Sequence, residues 1–164
     1  MSKRIKSPGL DLFKADVESE QCLPLMEGGI AAGFPSPAQD YIDLSLDLNK
    51  TLIENPSSTF FGRVRGTSMV DAGIEDGDLL VIDKSLEPRD GDTVVCFLDG
   101  EFTLKYIQIE KEAVYLVPAN PAFQPIRVTD ANHFCIWGVV TYSIKDHHHK
   151  RGTGVTRRGY QKAK

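Results

Sequence analysis

Between residues 60 and 144 the chain is a succession of short segments rich in Val, Ile, Phe and Tyr, each closed by a turn signal. This punctuation restricts it to a sheet assembled largely from local pairings. The predicted strands cover 60–65, 78–83, 92–98, 101–109, 113–117 and 134–144. Asp76-Gly77 and Asp99-Gly100 are dipeptides favoured in tight hairpin turns, and the second predicts a hairpin between the strands on either side. Arg89-Asp90-Gly91-Asp92 marks another turn. Upstream, Ile42, Leu44, Leu46 and Leu48 alternate with Asp43, Ser45 and Asp47, the period of a half-buried strand, with a helix left open. A short helical turn is expected over 49–54, ended by Asn55-Pro56. The expected class is mainly β: a small rolled or barrel-like fold with a flexible N-terminal arm and short helical turns.

At 164 residues the chain holds one domain plus arms. Residues 1–32 carry one weak helical pattern over 10–20 and then the small-residue run Gly28-Gly29-Ile30-Ala31-Ala32-Gly33. A segment this short does not support its own core, so it reads as an arm. Seven of the 19 basic residues but only one of the 23 acidic ones fall in 145–164, a +6 tail on a −10 body. An acidic body is a poor dedicated DNA-binding surface, so no direct sequence-specific DNA contact is expected, and the tail reads as solvated and disordered. Its three adjacent histidines, His147 to His149, cannot easily all face one ion. No apolar run approaches the roughly 20 residues of a membrane span, and the basic N-terminus leads into no signal segment. A cytoplasmic protein without membrane attachment is expected. Cys96 and Cys135 lie in apolar strand patterns and read as buried thiols, while Cys22 lies in the polar arm.

Two residues carry candidate chemistry. In Glu101-Phe102-Thr103-Leu104-Lys105-Tyr106-Ile107, alternation puts Lys105 on a face with Thr103, Ile107 and Ile109. An amine among apolar side chains loses solvation, its pKa falls, and it becomes a usable base. A strand-edge lysine reaching back to water explains the same position more simply. Ser68, in Gly66-Thr67-Ser68-Met69, follows a strand; it reads either as a nucleophile near backbone N–H groups or as a helix cap. The Ala32–Gly33 bond lies in a segment small enough to approach a nucleophile, and equally suited to be a hinge. If Ser68 and Lys105 meet, they form a serine–lysine dyad that needs no histidine, metal or cofactor.

Taken in order, the motifs resemble the LexA-like self-cleaving serine peptidases, most closely their UmuD branch of translesion polymerase accessory subunits. The stretches that carry the resemblance are Gly33-Phe34-Pro35-Ser36-Pro37-Ala38, Asp47-Leu48-Asn49, Asn55-Pro56-Ser57-Ser58-Thr59 and Gly66-Thr67-Ser68-Met69. Gly73-Ile74-Glu75-Asp76-Gly77-Asp78-Leu79-Leu80, Asp99-Gly100-Glu101-Phe102-Thr103-Leu104-Lys105, Pro118-Ala119-Asn120-Pro121 and Gly138-Val139-Val140 complete them. The resemblance implies an intertwined homodimer in which Ser68 attacks and Lys105 takes its proton. It implies a cut between Ala32 and Gly33, stimulated by a RecA–single-stranded DNA filament during the SOS response. It further implies a product that joins a Y-family, UmuC-like DNA polymerase subunit. The expected organisation is an arm over 1–32, a peptidase domain over 33–144 and a basic tail over 145–164. A LexA-type repressor is the first alternative, but residues 1–32 are too short for a helix-turn-helix with its supporting helices. A signal-peptidase-like enzyme would need a membrane anchor. A partner-binding module with a vestigial dyad is decided by geometry alone.

Overall fold

The computed structural model describes residues 5–7, 10–15, 22–25 and 44–148. They form a nine-stranded antiparallel sheet, a separate two-stranded ribbon, one short helix and a 3-10 turn. In chain order the strands are β1 Ile5–Ser7, β2 Leu10–Lys14, β3 Cys22–Leu25, β4 Leu44–Asp47, β5 Thr59–Val64 and β6 Leu79–Asp83. There follow β7 Thr93–Leu98, β8 Glu101–Ile109, β9 Val114–Val117, β10 Ile126–Val128 and β11 Phe134–Ile144. Helix α1, Leu48–Leu52, follows β4, and the 3-10 turn covers Val70–Ala72. The large sheet runs β1-β2-β5-β6-β11-β7-β8-β9-β10, and β3 pairs with β4.

Most expected strands form within a residue or two of the predicted bounds. Asp99 and Gly100 both have positive φ, 49° and 99°, as a primed two-residue turn requires, and β7 and β8 pair around them from Leu98↔Glu101 to Thr93↔Tyr106. The alternating segment becomes β4, and α1 begins one residue earlier than expected because the Asp47 carboxylate accepts from the Asn49 N–H and caps it. Where residues 10–20 were expected to lean helical, 10–14 form a strand. The open edge of β5 supplies backbone partners that an isolated helix would lack. Strands β1, β3 and β10 were not anticipated. β3 contains Pro24, and β1 and β10 are each only three residues long, so none of them carries a readable strand pattern. Cys96 is buried, but Cys135 is exposed: its strand's pattern reads as core although one of its faces meets water.

The main core joins Leu12, Val64, Met69, Ile74, Leu80, Ile82, Val95 and Leu104, with Phe102, Trp137 and Val140 packed against it. A second cluster unites Val94, Ile107 and Val139. Leu104 enters the first and Ile107 the second, so β8 is covered around Lys105. Strands β5 and β8 stand four places apart in the sheet, about 19 Å in a flat one at 4.8 Å per step. Residues that leave β5 nevertheless touch β8, so the sheet rolls and the loop after β5 reaches across it. No helix among the described residues is long and apolar enough to cross a membrane.

Candidate active site

Ser68 rides on the loop that leaves β5. Gly66 turns that loop with φ +96°, a conformation that favours glycine, and its N–H donates to Asp76 Oδ1 at 2.8 Å. Met69, only 2% exposed, anchors the loop in the core, and its carbonyl accepts from the Ile74 N–H at 3.1 Å. The loop after β9 holds it from the other side. The Asp71 N–H donates to the Ala119 carbonyl at 2.8 Å, and Asn120 Nδ2 donates to the Thr67 carbonyl at 2.8 Å. Ser68 is thus flanked by fixed backbone, and no side chain caps the 3-10 turn, so the capping role open to it from sequence is not the one it takes.

Lys105, 7% exposed on β8, donates from Nζ to Ser68 Oγ at 2.9 Å, to Thr103 Oγ1 at 2.9 Å and to the Leu104 carbonyl at 2.9 Å. Burial disfavours the ammonium and holds the Lys105 pKa below the usual lysine range, while the nearby Cys96 acts in the opposite direction. That opposition needs a thiolate, and burial pushes the Cys96 thiol up to about 12, so Cys96 stays uncharged and desolvation decides. Among the described residues no carboxylate is bonded to Nζ.

A neutral amine has two N–H donors and one lone pair. The Leu104 carbonyl can only accept and so takes one N–H, which leaves the other N–H and the lone pair to the Thr103 and Ser68 hydroxyls, each able to give or accept. The arrangement therefore allows Ser68 to donate to Lys105 as soon as the amine is uncharged. Beside it a cleft is lined by Val64, Arg65, Gly66, Met69, Phe102, Thr103 and Leu104. The backbone N–H groups of Ser68 and Met69, two residues that line that cleft, donate to no other described residue.

Residues 24–141 match the model of the Peptidase S24-like family. The chain belongs to that family. This S24-like chain is 44% identical to the protein ImpA of Salmonella typhimurium over 122 residues, covering 74% of its own length and 82% of ImpA. With the protein MucA of Escherichia coli it shares 39% over 140 residues, 84% of its own length and 95% of MucA. A LexA repressor from Alcanivorax borkumensis is 36% identical over 141 residues, 86% of this chain and 68% of the repressor. The resemblance to the LexA-like peptidases and their UmuD branch, read from the motifs, stands with these relatives. The family is one of serine peptidases.

Of the residues singled out from sequence, the fold brings Ser68 and Lys105 together from positions 37 apart in the chain. Ala32 and Gly33 lie outside the described residues. Two contributors went unread: Thr103, which shares the amine, and Asn120, which ties down the serine loop. Thr103 was placed on the face of Lys105, which was the available signal. Asn120 lay in a quoted motif whose mechanical role shows only in three dimensions.

Proposed function

We propose that this S24-like peptidase cuts its own chain between Ala32 and Gly33, with Ser68 as nucleophile and Lys105 as general base. Neutral Lys105 takes the hydroxyl proton while Ser68 Oγ attacks the Ala32 carbonyl. The N–H groups of Ser68 and Met69 face the oxygen that gains negative charge. The protonated amine then gives its proton to the departing Gly33 nitrogen, leaving an ester between Ser68 and Ala32. A water molecule, deprotonated by the same amine, hydrolyses the ester and restores the serine. The observation that carries this reading is the 2.9 Å contact between Lys105 Nζ and Ser68 Oγ, with Lys105 buried.

The biological role is that of a UmuD-like SOS mutagenesis protein, the group to which ImpA, SamA and MucA belong. In this role a RecA–single-stranded DNA filament stimulates the cut in a cytoplasmic homodimer, residues 1–32 form the removable arm, and 33–144 form the peptidase domain. The shortened product, with its basic 145–164 tail, serves a Y-family polymerase subunit in lesion bypass. A repressor role would need a DNA-reading module of packed helices, and the strands over residues 5–7 and 10–14 are not one.

Intact-mass measurement tests the reading. The purified chain, incubated with activated RecA filament or at alkaline pH, should yield fragments 1–32 and 33–164. Ser68→Ala and Lys105→Ala should each slow the cut by at least about 100-fold while preserving the fold. Scission at another bond, or unaltered cutting by Lys105→Ala, would refute it.

A further inference from the structure

Strand β2 belongs to the arm but is built into the body. Residues Leu10 to Lys14 pair antiparallel with Val64 to Phe60 of β5, with β1 behind them at the sheet edge. Leu12 lies opposite Gly62, is 1% exposed and shares the main core with Val64, Met69 and Leu80. Asp11, 4% exposed, meets Arg65 Nη2 at 2.6 Å, one residue before the loop that carries Ser68. Ala15 is buried too, and its N–H donates to the Thr59 carbonyl at 3.3 Å.

We infer that the β5 edge is a strand-binding site whose ligand is the Leu10–Ala15 segment, and that this ligand stays seated after the arm is severed and becomes exchangeable. The inference rests on the proposed cut at Ala32–Gly33, which breaks none of the contacts just described. What the cut removes is the covalent tether, while β3 of the same severed piece still pairs with β4 from Cys22↔Asp47 to Leu25↔Leu44. Before it, the segment is presented to β5 at the high effective concentration of a linked ligand; afterwards binding is bimolecular and depends on dilution and on competitors. A competing strand must reproduce the backbone ladder, place an aliphatic side chain opposite Gly62 and bring a carboxylate to Arg65. Severing the bond thus prepares the edge, and an incoming strand of that pattern opens it.

The test uses the full chain with Ser68→Ala and a site-specific protease sequence inserted between Glu18 and Ser19, cut by the added protease, so that the piece carrying Leu10–Ala15 leaves β3 and its pairing with β4 behind. The cut is therefore independent of Ser68, and failure of self-cleavage leaves this experiment standing. Native mass spectrometry at low micromolar concentration should find the two pieces travelling together. An excess of a synthetic peptide of residues 8–16 should displace the arm. The same peptide with Asp11→Lys, which sets like charges at Arg65, should compete at least about tenfold less well. Separation of the pieces on cutting alone, with or without unfolding, overturns the inference. So does a retained arm that the peptide cannot displace, or equal competition by the two peptides.

Discussion

At Lys105 the chemistry depends on which proton carriers surround one amine. Its three partners are two hydroxyls that can each give or accept a proton and a carbonyl that can only accept. None is anionic, so nothing repays the cost of charging the buried group, and its pKa lies below the roughly 10.4 of a free lysine. Only the neutral form is a base. The cleavage rate should therefore rise about tenfold per pH unit below the depressed pKa and level off before pH 10.4. A pH–rate profile by intact-mass sampling checks this. A plateau reached only above the free-lysine value would show that burial had not shifted the group, and a falling profile would assign the base elsewhere.

At the scale of elements, the site depends on how two loops and two strands are locked together. Asn120 fixes the serine loop through a single hydrogen bond to the Thr67 carbonyl, and it touches neither reacting group. Asn120→Ala should lower the cleavage rate about tenfold, the worth of about 1.4 kcal/mol of lost positioning, and leave the pH midpoint in place. A shifted midpoint would mean that the loop alters the amine itself. Strand β11 binds β6 on one side and β7 on the other, its register shifting between Ile136 and Gly138 against β7 and between Val140 and Tyr142 against β6. A Cβ at Gly138 would come within 2.7 Å of Ile82 Cγ2 and 3.1 Å of the Asp83 carbonyl oxygen. The Asp83 carboxylate leaves little room for adjustment, since it accepts from Asn55 Nδ2 and from both the N–H and Oγ of Ser85. Gly138→Ala should cost about 1–3 kcal/mol, visible as a lower denaturant midpoint with unchanged slope.

Across the whole molecule, the buried Lys105 amine is maintained against the stability of the fold. At neutral pH the unfolded chain holds a proton on Lys105 that the folded chain binds less readily, so protonation favours unfolding. As pH rises toward the unfolded pKa near 10.4, both states lose the proton and the penalty fades. Lys105→Met keeps the volume and removes the charge. It should abolish cutting and raise the melting temperature at pH 7, by about 2–4 °C for each kcal/mol relieved. The gap between variant and wild type should narrow on approaching pH 10. A variant that melts lower at pH 7 would mean that the lost bonds to Thr103 and Leu104 outweigh the desolvation of the amine.

Much of this was readable in the chain itself. Asp99-Gly100 specified a hairpin because both residues tolerate positive φ, and alternation over residues 101–109 defined β8 and the face shared by Thr103 and Lys105. These are local signals, carried by backbone sterics and a period of two. The strand of residues 10–14 was not readable, because its stability comes from the distant edge of β5 rather than from its own propensity. The contact between Ser68 and Lys105 was a conjecture from sequence for the same reason: a roll of the sheet across four strand spacings closes it, and that closure is a sum of packing choices made throughout the core. Sequence determined which groups were chemically able to react; the tertiary fold alone decided that they touch, and that the amine does so away from water.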